Sequence, residues 1–320
     1  MNRVRWGIVG PGRIAHTFAT DMAYVDNATL QAVTSRSPDT AQAFAARYHI
    51  ESAYSDYAAM LADPEVDAVY IATPHTCHAA QIIQACEAGK AVLCEKPLTV
   101  TSAECEAVMQ AAQRAGVFVM EAMWTYFLPA VRQAHAWFLQ GRVGKLVQIQ
   151  SSFGHAIEYG PDVRAYASYL AGGCLLDMGV YPIALNWRFH PHMPQSVTPV
   201  VRFAPNGVED DLAVILDYSD MTSTLAASFR TRLPNWTYVI GDEGYIALRD
   251  SHCARECFLH QLDDQADAFD DGRRGSGFEF QIAAASADIL AHRTGSDIMP
   301  LTSSLAFQQI MGRIRQSWQS

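Results

Sequence analysis

A tight glycine turn directly after the first apolar run constrains this chain more than any other feature. Val4–Val9 is short and apolar and runs into Gly10-Pro11-Gly12-Arg13-Ile14-Ala15, with the core Gly10-x-Gly12-x-x-Ala15. Gly10 permits the tight turn. Gly12 lets the backbone approach a pyrophosphate with no Cβ in the way, and Ala15 is small enough for a helix to pack on the strand. A helix opening there aims the amides of Arg13 and Ile14 at phosphate oxygens. Three small residues alone also fit an ordinary glycine-rich turn. The strand before, the helical pattern after and the N-terminal placement favour a dinucleotide fingerprint.

The next hundred residues agree. Strand patterns at Thr29–Thr34, Ala68–Ala72, Ala91–Cys94 and Val117–Met120 alternate with helical patterns at Ala15–Tyr24, Ala79–Ala88 and Thr101–Ala115. Another helix start is marked by Ser37 as N-cap and Pro38 in the first turn. Strands separated by helices predict an α/β fold with a doubly wound parallel sheet. Alternation stops near Met123, so we expect a dinucleotide-binding domain over 1–123 and a second domain over 124–320. That second part reads as a helix at Pro129–Leu139, a strand at Leu146–Phe153 and a helix at Met178–Arg188. Five beta runs follow between Val197 and Leu248, and their short turns predict an antiparallel sheet. Asp263–Gly277, acidic and glycine-containing, reads as a loop. Phe278–Arg293 and Ser303–Trp318 read as closing helices.

Composition narrows the classes. The 320 residues are 50% hydrophobic and carry a net charge of -10, which disfavours a general nucleic-acid binder because such proteins need a basic face. No uninterrupted apolar run approaches the roughly 18 residues of a membrane span. The N-terminus lacks the longer apolar stretch of a signal peptide. Seven cysteines, an odd number spread along the chain, fit reduced thiols. A cytoplasmic protein is expected.

The strand ends carry the candidate chemistry, because open parallel sheets bind ligands beyond the carboxyl ends of their strands. The second strand ends Val33-Thr34-Ser35-Arg36-Ser37, with no carboxylate to hold a ribose 2′-hydroxyl. Ser35 and Arg36 suit a 2′-phosphate instead, since a guanidinium pairs with phosphate bidentately. NADP is therefore preferred, with NAD possible. A solvated surface role for Arg36 is the alternative. The third strand ends Thr73-Pro74-His75-Thr76-Cys77-His78 and the fourth Cys94-Glu95-Lys96-Pro97-Leu98. Lys96 reads as a cleft residue or as a surface partner of Glu95. His75 and His78 read as a cofactor-side loop, with capping or packing as the alternative for His78. Trp124 reads as a nicotinamide wall or a domain junction.

These motifs, followed by Gly172-Gly173-x-x-x-x-Asp177-x-Gly179-x-Tyr181, resemble the glucose–fructose oxidoreductase / inositol dehydrogenase family. Glu121-Ala122-Met123-Trp124-Thr125 and the ending at Tyr181 are most similar to its dihydrodiol dehydrogenase-like branch. The resemblance implies a Rossmann domain followed by an α/β domain with an open, mostly antiparallel sheet. It implies that Lys96 touches substrate and nicotinamide ribose, that Tyr181 is the proton donor or acceptor, and that Asp177 lies beside it. An i,i+4 spacing puts Asp177 and Tyr181 on one helix face, with a satisfied aromatic at a domain interface as the alternative for Tyr181 and a helix cap or structural hydrogen bond as that for Asp177. A tyrosine near pKa 10 is a slow base at neutral pH, and a nearby ammonium such as that of Lys96 lowers that value. Two departures loosen the substrate assignment: Tyr126 stands where the branch often has arginine, and Asp297 where a Glu-Ser pair is expected.

His252-Cys253-x-x-x-Cys257-x-x-His260 has crowded spacing for zinc, and no metal is expected. An exposed sheet face in the second domain predicts a homodimer. The expected activity is hydride transfer between nicotinamide and a sugar, diol or related small carbonyl. Two alternatives are a non-catalytic dinucleotide-binding regulator and an oxidoreductase that retains its cofactor and cycles between two substrates.

Overall fold

The computed structural model describes residues 3–261 and 264–319, and the chain divides into two units. The first comprises Met1–Trp124 and Arg274–Ser304. Its sheet has six parallel strands: β1 (Val4–Val9), β2 (Ala28–Thr34), β3 (Ser52–Tyr54), β4 (Ala68–Ile71), β5 (Ala91–Cys94) and β6 (Val119–Glu121). Their order is β3-β2-β1-β4-β5-β6, which puts the reversal between β1 and β4. The helices between them are α1 (Arg13–Asp21), α2 (Pro38–Tyr48), α3 (Tyr57–Leu61), α4 (His75–Glu87) and α5 (Ser102–Ala115). This is the doubly wound arrangement expected from the alternation.

Local sequence explains the boundaries. Ser37 Oγ accepts the Thr40 amide to cap α2, and Pro38 opens its first turn. Thr101 and Glu104 form a capping box at α5, and Gly116 ends that helix at φ 64°. The core is aromatic: Phe18 stacks on Tyr70 at 3.9 Å, and Trp6 is fully buried.

Two sequence expectations need correction here. β3 is a three-residue edge strand, too short to show a period, so the sheet has six strands where five are legible. The segment Arg274–Ser304, expected in the second domain, folds with the first. Its helix α8 (Phe278–Leu290) is held by specific bonds. Asp21, 1% exposed, accepts the amides of Ser276, Gly277 and Phe278 at 2.9–3.1 Å, capping α8 from another element. Trp6 Nε1 donates to Ser286 Oγ at 3.1 Å, and Asn27 donates to the Ala283 carbonyl at 2.9 Å. No local pattern encodes these long-range partners.

The second unit comprises Thr125–Arg273 and Leu305–Ser320. It contains α6 (Pro129–Leu139), β7 (Leu146–Gly154), α7 (Val180–Phe189), β8 (Ser196–Phe203), β9 (Glu209–Asp217), β10 (Thr222–Ser228), β11 (Thr237–Gly241), β12 (Gly244–Leu248), β13 (Glu256–Gln261) and β14 (Asp264–Asp270). The last helix, α9, spans Leu301–Gln319. The eight strands run β14-β13-β12-β11-β7-β10-β9-β8, antiparallel except for the β7–β10 pair. Helices α6 and α7 cover one face. The supposed loop after residue 263 is therefore an edge strand; Asp263 itself lies outside the described residues. β14 is almost wholly exposed, so its acidic residues read as loop, and charge on an edge strand also deters pairing with other chains. The stretch Ser168–Phe189 is long and apolar enough by composition to cross a membrane, but 67% of its apolar window is buried inside the fold, as for a core helix.

Candidate active site

In the first unit the candidate residues gather at the carboxyl ends of β1, β2, β4 and β5. Gly10 sits at φ +84°, where a side chain is strained, and a Cβ there would meet Thr73 Cγ2 at 2.9 Å. Gly12 differs: it caps α1 with extended backbone, and a Cβ built on it meets nothing within 4 Å. The N-terminus of α1 has neither a side-chain cap nor an acidic residue in its first turn. Open space at Gly12 and uncapped amides at Arg13 and Ile14 fit a dinucleotide pyrophosphate. Among the described residues no group of three or more His, Cys, Asp and Glu is arranged for a metal ion.

Beyond β2, Arg36 is exposed and Ser35 half-buried. Ser37 is committed to capping α2, and Ser35 Oγ accepts the Ser37 amide at 3.3 Å. Beyond β4, Thr73 Oγ1 donates to Gln81 Oε1 at 2.5 Å, Pro74 caps α4 and His75 is its first residue. His78 is fully buried, with Nδ1 2.9 Å from the Pro97 carbonyl and Nε2 2.9 Å from the Thr73 carbonyl. Burial pushes its pKa down. Its ring joins the loop after β4 to the loop after β5 and presents no nitrogen to a cofactor, which corrects the reading of His78 as a cofactor contact.

Glu95 is 6% exposed. Its Oε1 accepts the Tyr70 hydroxyl at 2.5 Å and its Oε2 accepts the Lys96 amide at 3.3 Å. Lys96 follows it, half-buried, at the end of β5. Trp124 is 9% exposed and packs on Phe278, centroids 4.9 Å apart.

The second unit carries Asp177 and Tyr181. Leu175–Gly179 is a π-helical turn leading into α7. Its i→i+5 bonding means that the spacing rule for a regular α-helix does not carry over unchanged to this pair. Gly179 lets the turn pack closely: a Cβ there would lie 3.1 Å from Leu175 Cδ1 and 3.7 Å from Ala227 Cβ of β10. Arg164 Nη2 donates to Asp177 Oδ2 at 2.9 Å. Tyr181 is 6% exposed. Its ring lies edge-on to Phe153 at 5.3 Å and to His252 at 5.9 Å, and those two stack at 4.0 Å.

No sequence pattern points to Arg164 or Phe153 as site residues. The spacing around His252 suggests only zinc, because nothing local links residue 252 to residue 181. Cys257 is instead a core residue of β13, with burial pushing its thiol up to about 12. Tyr126 is 1% exposed; its hydroxyl donates to the Ala184 carbonyl and the Arg188 guanidinium lies 5.2 Å from its ring, so it is a packing residue of this unit. Asp297 pairs with Arg293 on the surface.

Comparison with known proteins matches these features. Residues 4–123 match the oxidoreductase family model with an NAD-binding Rossmann fold, and residues 131–247 match the GFO/IDH/MocA C-terminal domain. Trans-1,2-dihydrobenzene-1,2-diol dehydrogenase of Mus musculus is 37% identical over 245 residues, 75% of this chain and 73% of the mouse protein. The Homo sapiens enzyme is 34% identical over 249 residues, 77% of this chain and 74% of that one. The aldose–aldose oxidoreductase of Caulobacter crescentus, solved with glycerol, superimposes with a TM-score of 0.91 at 23% identity over 99% of this chain and 98% of that one. A levoglucosan dehydrogenase complex with NADH and levoglucosan gives 0.88 at 20% identity over 99% and 97%, which likewise supports the fold. With both domain models matched in order and relatives above 30% identity, the chain belongs to the GFO/IDH/MocA family: it is an oxidoreductase built on an NAD(P)-binding Rossmann domain.

Proposed function

We propose that this oxidoreductase prefers NADP and moves a hydride between nicotinamide and a sugar, a diol or a related small carbonyl. The observation that carries the reading is Lys96, held by a buried glutamate loop at the carboxyl end of β5, where an open parallel sheet binds its ligand. The nicotinamide would supply or receive the hydride. Lys96 orients the reacting oxygen, Tyr181 gives or takes its proton, and Asp177, pinned by Arg164, orients that group. The diol substrates of the mammalian relatives support the substrate class. Exposed Arg36, standing where an acidic residue would favour NAD, supports NADP. Seven unpaired cysteines support a reducing compartment, the cytoplasm.

We also infer a homodimer through the open sheet face. Val200 is 58% and Ile215 48% exposed there, with Thr198, Ala213, Thr224 and Trp236 continuing the surface. A second copy covers such a face. Light scattering should return twice the chain mass, and Ile215→Lys should halve it; a wild-type monomer would refute this part.

The activity test is NADPH oxidation across reducing sugars and dicarbonyls, with NADP reduction by sugars, inositols and dihydrodiols. Turnover that falls about 10²–10⁴-fold in Tyr181→Phe supports the reading. Tight NADPH binding without turnover on any of them favours a regulator. Nicotinamide released on denaturing the purified protein favours the retained-cofactor alternative.

A further inference from the structure

Glu121 ends β6 and is 2% exposed. It lies opposite Cys94, one strand over, and the Ala122 amide donates to the Cys94 carbonyl at 2.7 Å. Its Oε1 accepts the Leu98 amide at 2.9 Å, two residues beyond Lys96. Its Oε2 is enclosed beside the Ser304 hydroxyl, and neither oxygen bonds to another described group. On the other side of the same loop, His78 faces the Pro97 carbonyl. The backbone that carries Lys96 is thus gripped from two directions by buried ionisable side chains. A carboxyl group here is costly: burying one without a bonded cation is disfavoured unless it serves something local.

We propose that Glu121 is a positioning residue for Lys96, holding the Lys96–Pro97–Leu98 turn through the Leu98 amide and passing its own charge state to the lysine. The functional consequence rests on the reading of Lys96 as the residue that orients the reacting oxygen.

The charged and titratable groups facing Glu121 are few. Glu95 and Lys96 come from the loop after β5, Cys94 from β5 and Cys105 from α5. Both thiols are pushed up by burial and remain neutral. Burial raises the Glu121 carboxyl to about 7, and the neighbouring Glu95 adds to this. Ser304, the Leu98 amide and Lys96 oppose it. Above that pH the carboxylate makes a charged hydrogen bond to Leu98 and attracts the Lys96 ammonium. Below it the neutral acid makes a weaker bond and offers no charge. The difference between a charged and a neutral hydrogen bond corresponds to about fivefold in an equilibrium.

The chain has only three lysines, Lys90, Lys96 and Lys145, so lysine-selective 13C labelling gives a spectrum in which Lys96→Met assigns the relevant signal. In the wild type without substrate, the Lys96 Cε resonance should step near pH 7 while Lys90 and Lys145 do not. In Glu121→Gln, which keeps the shape and the acceptor for Leu98, that step should vanish. With a substrate found by the panel assay, wild-type kcat should rise about threefold from pH 6 to 8, most of the fivefold limit. The variant should stay at the lower level, with KM for NADPH within about twofold. A step that survives in Glu121→Gln, or a wild-type Lys96 signal with no step, overturns the proposal. A wild-type Lys96 signal with no step overturns the proposal even if the variant does not fold. Absence of turnover in the wild type would refute the oxidoreductase chemistry while the lysine spectrum still tests Glu121.

Discussion

Gly10 and Gly12 stand two residues apart in one turn, yet the structure predicts opposite consequences for adding a methyl group. Ala at position 10 must adopt φ near +84°, which costs about 1–2 kcal/mol for an L-residue. Its Cβ would also press on Thr73 Cγ2 at 2.9 Å and the Ala72 carbonyl oxygen at 3.2 Å. Overpacking of that kind brings the total to about 2–4 kcal/mol of lost stability. At position 12 the backbone has φ -82° and a methyl group meets nothing, so the stability change stays within about 1 kcal/mol. The open space is the space a pyrophosphate needs. A methyl group there lengthens the charge-assisted hydrogen bonds from the α1 amides, worth about 1.5–3 kcal/mol each, and weakens NADPH at least about tenfold. Urea unfolding followed by circular dichroism and titration of NADPH fluorescence measure the two effects separately. Gly12→Ala binding NADPH as tightly as the wild type would refute the placement of the phosphates, whatever its stability.

Asp21→Ala strips the Ser276 and Phe278 amides at the start of α8 of their acceptor, while the Gly277 amide keeps Glu279 Oε2 at 2.8 Å, and should lower stability by roughly 2 kcal/mol in urea unfolding; a loss under about 0.5 kcal/mol would show that the cap is dispensable. Glu279, beside it, has its pKa raised by burial first and by Asp21 second. The fold therefore retains a proton that the unfolded chain releases, and this contribution is complete below the ordinary value of 4.5 and is lost as pH rises through the folded one. The urea midpoint should fall across that window, and Glu279→Gln should flatten the fall. Arg36→Ala should weaken NADP more than NAD, measured by competition against NADPH fluorescence; equal losses would remove the 2′-phosphate contact.

The Rossmann half was legible because its signals are local. The glycine turn, the capping box at Thr101 and Glu104 and the alternation of apolar runs each act within a few residues. Strand β3 escaped because three residues show no period, and β14 because an exposed edge strand of aspartates looks like a solvated loop. The placement of α8 rests on Asp21, some 255 positions away in sequence, and nothing near Phe278 announces it. The candidate site divides in the same way. Gly10, Gly12, Glu95 and Lys96 follow from motif and strand position. Phe153, Arg164, His252 and Glu121 contribute through packing and hydrogen bonds made only when distant strands come together.

We propose above that Lys96 acts on the substrate and is not merely part of the scaffold. Steady-state turnover of Lys96→Met with NADPH and the best carbonyl from the panel, alongside NADPH fluorescence titration of the same sample, tests it most directly. A fall of at least about 10²-fold in kcat with NADPH still bound is expected. Wild-type turnover in that variant would contradict it.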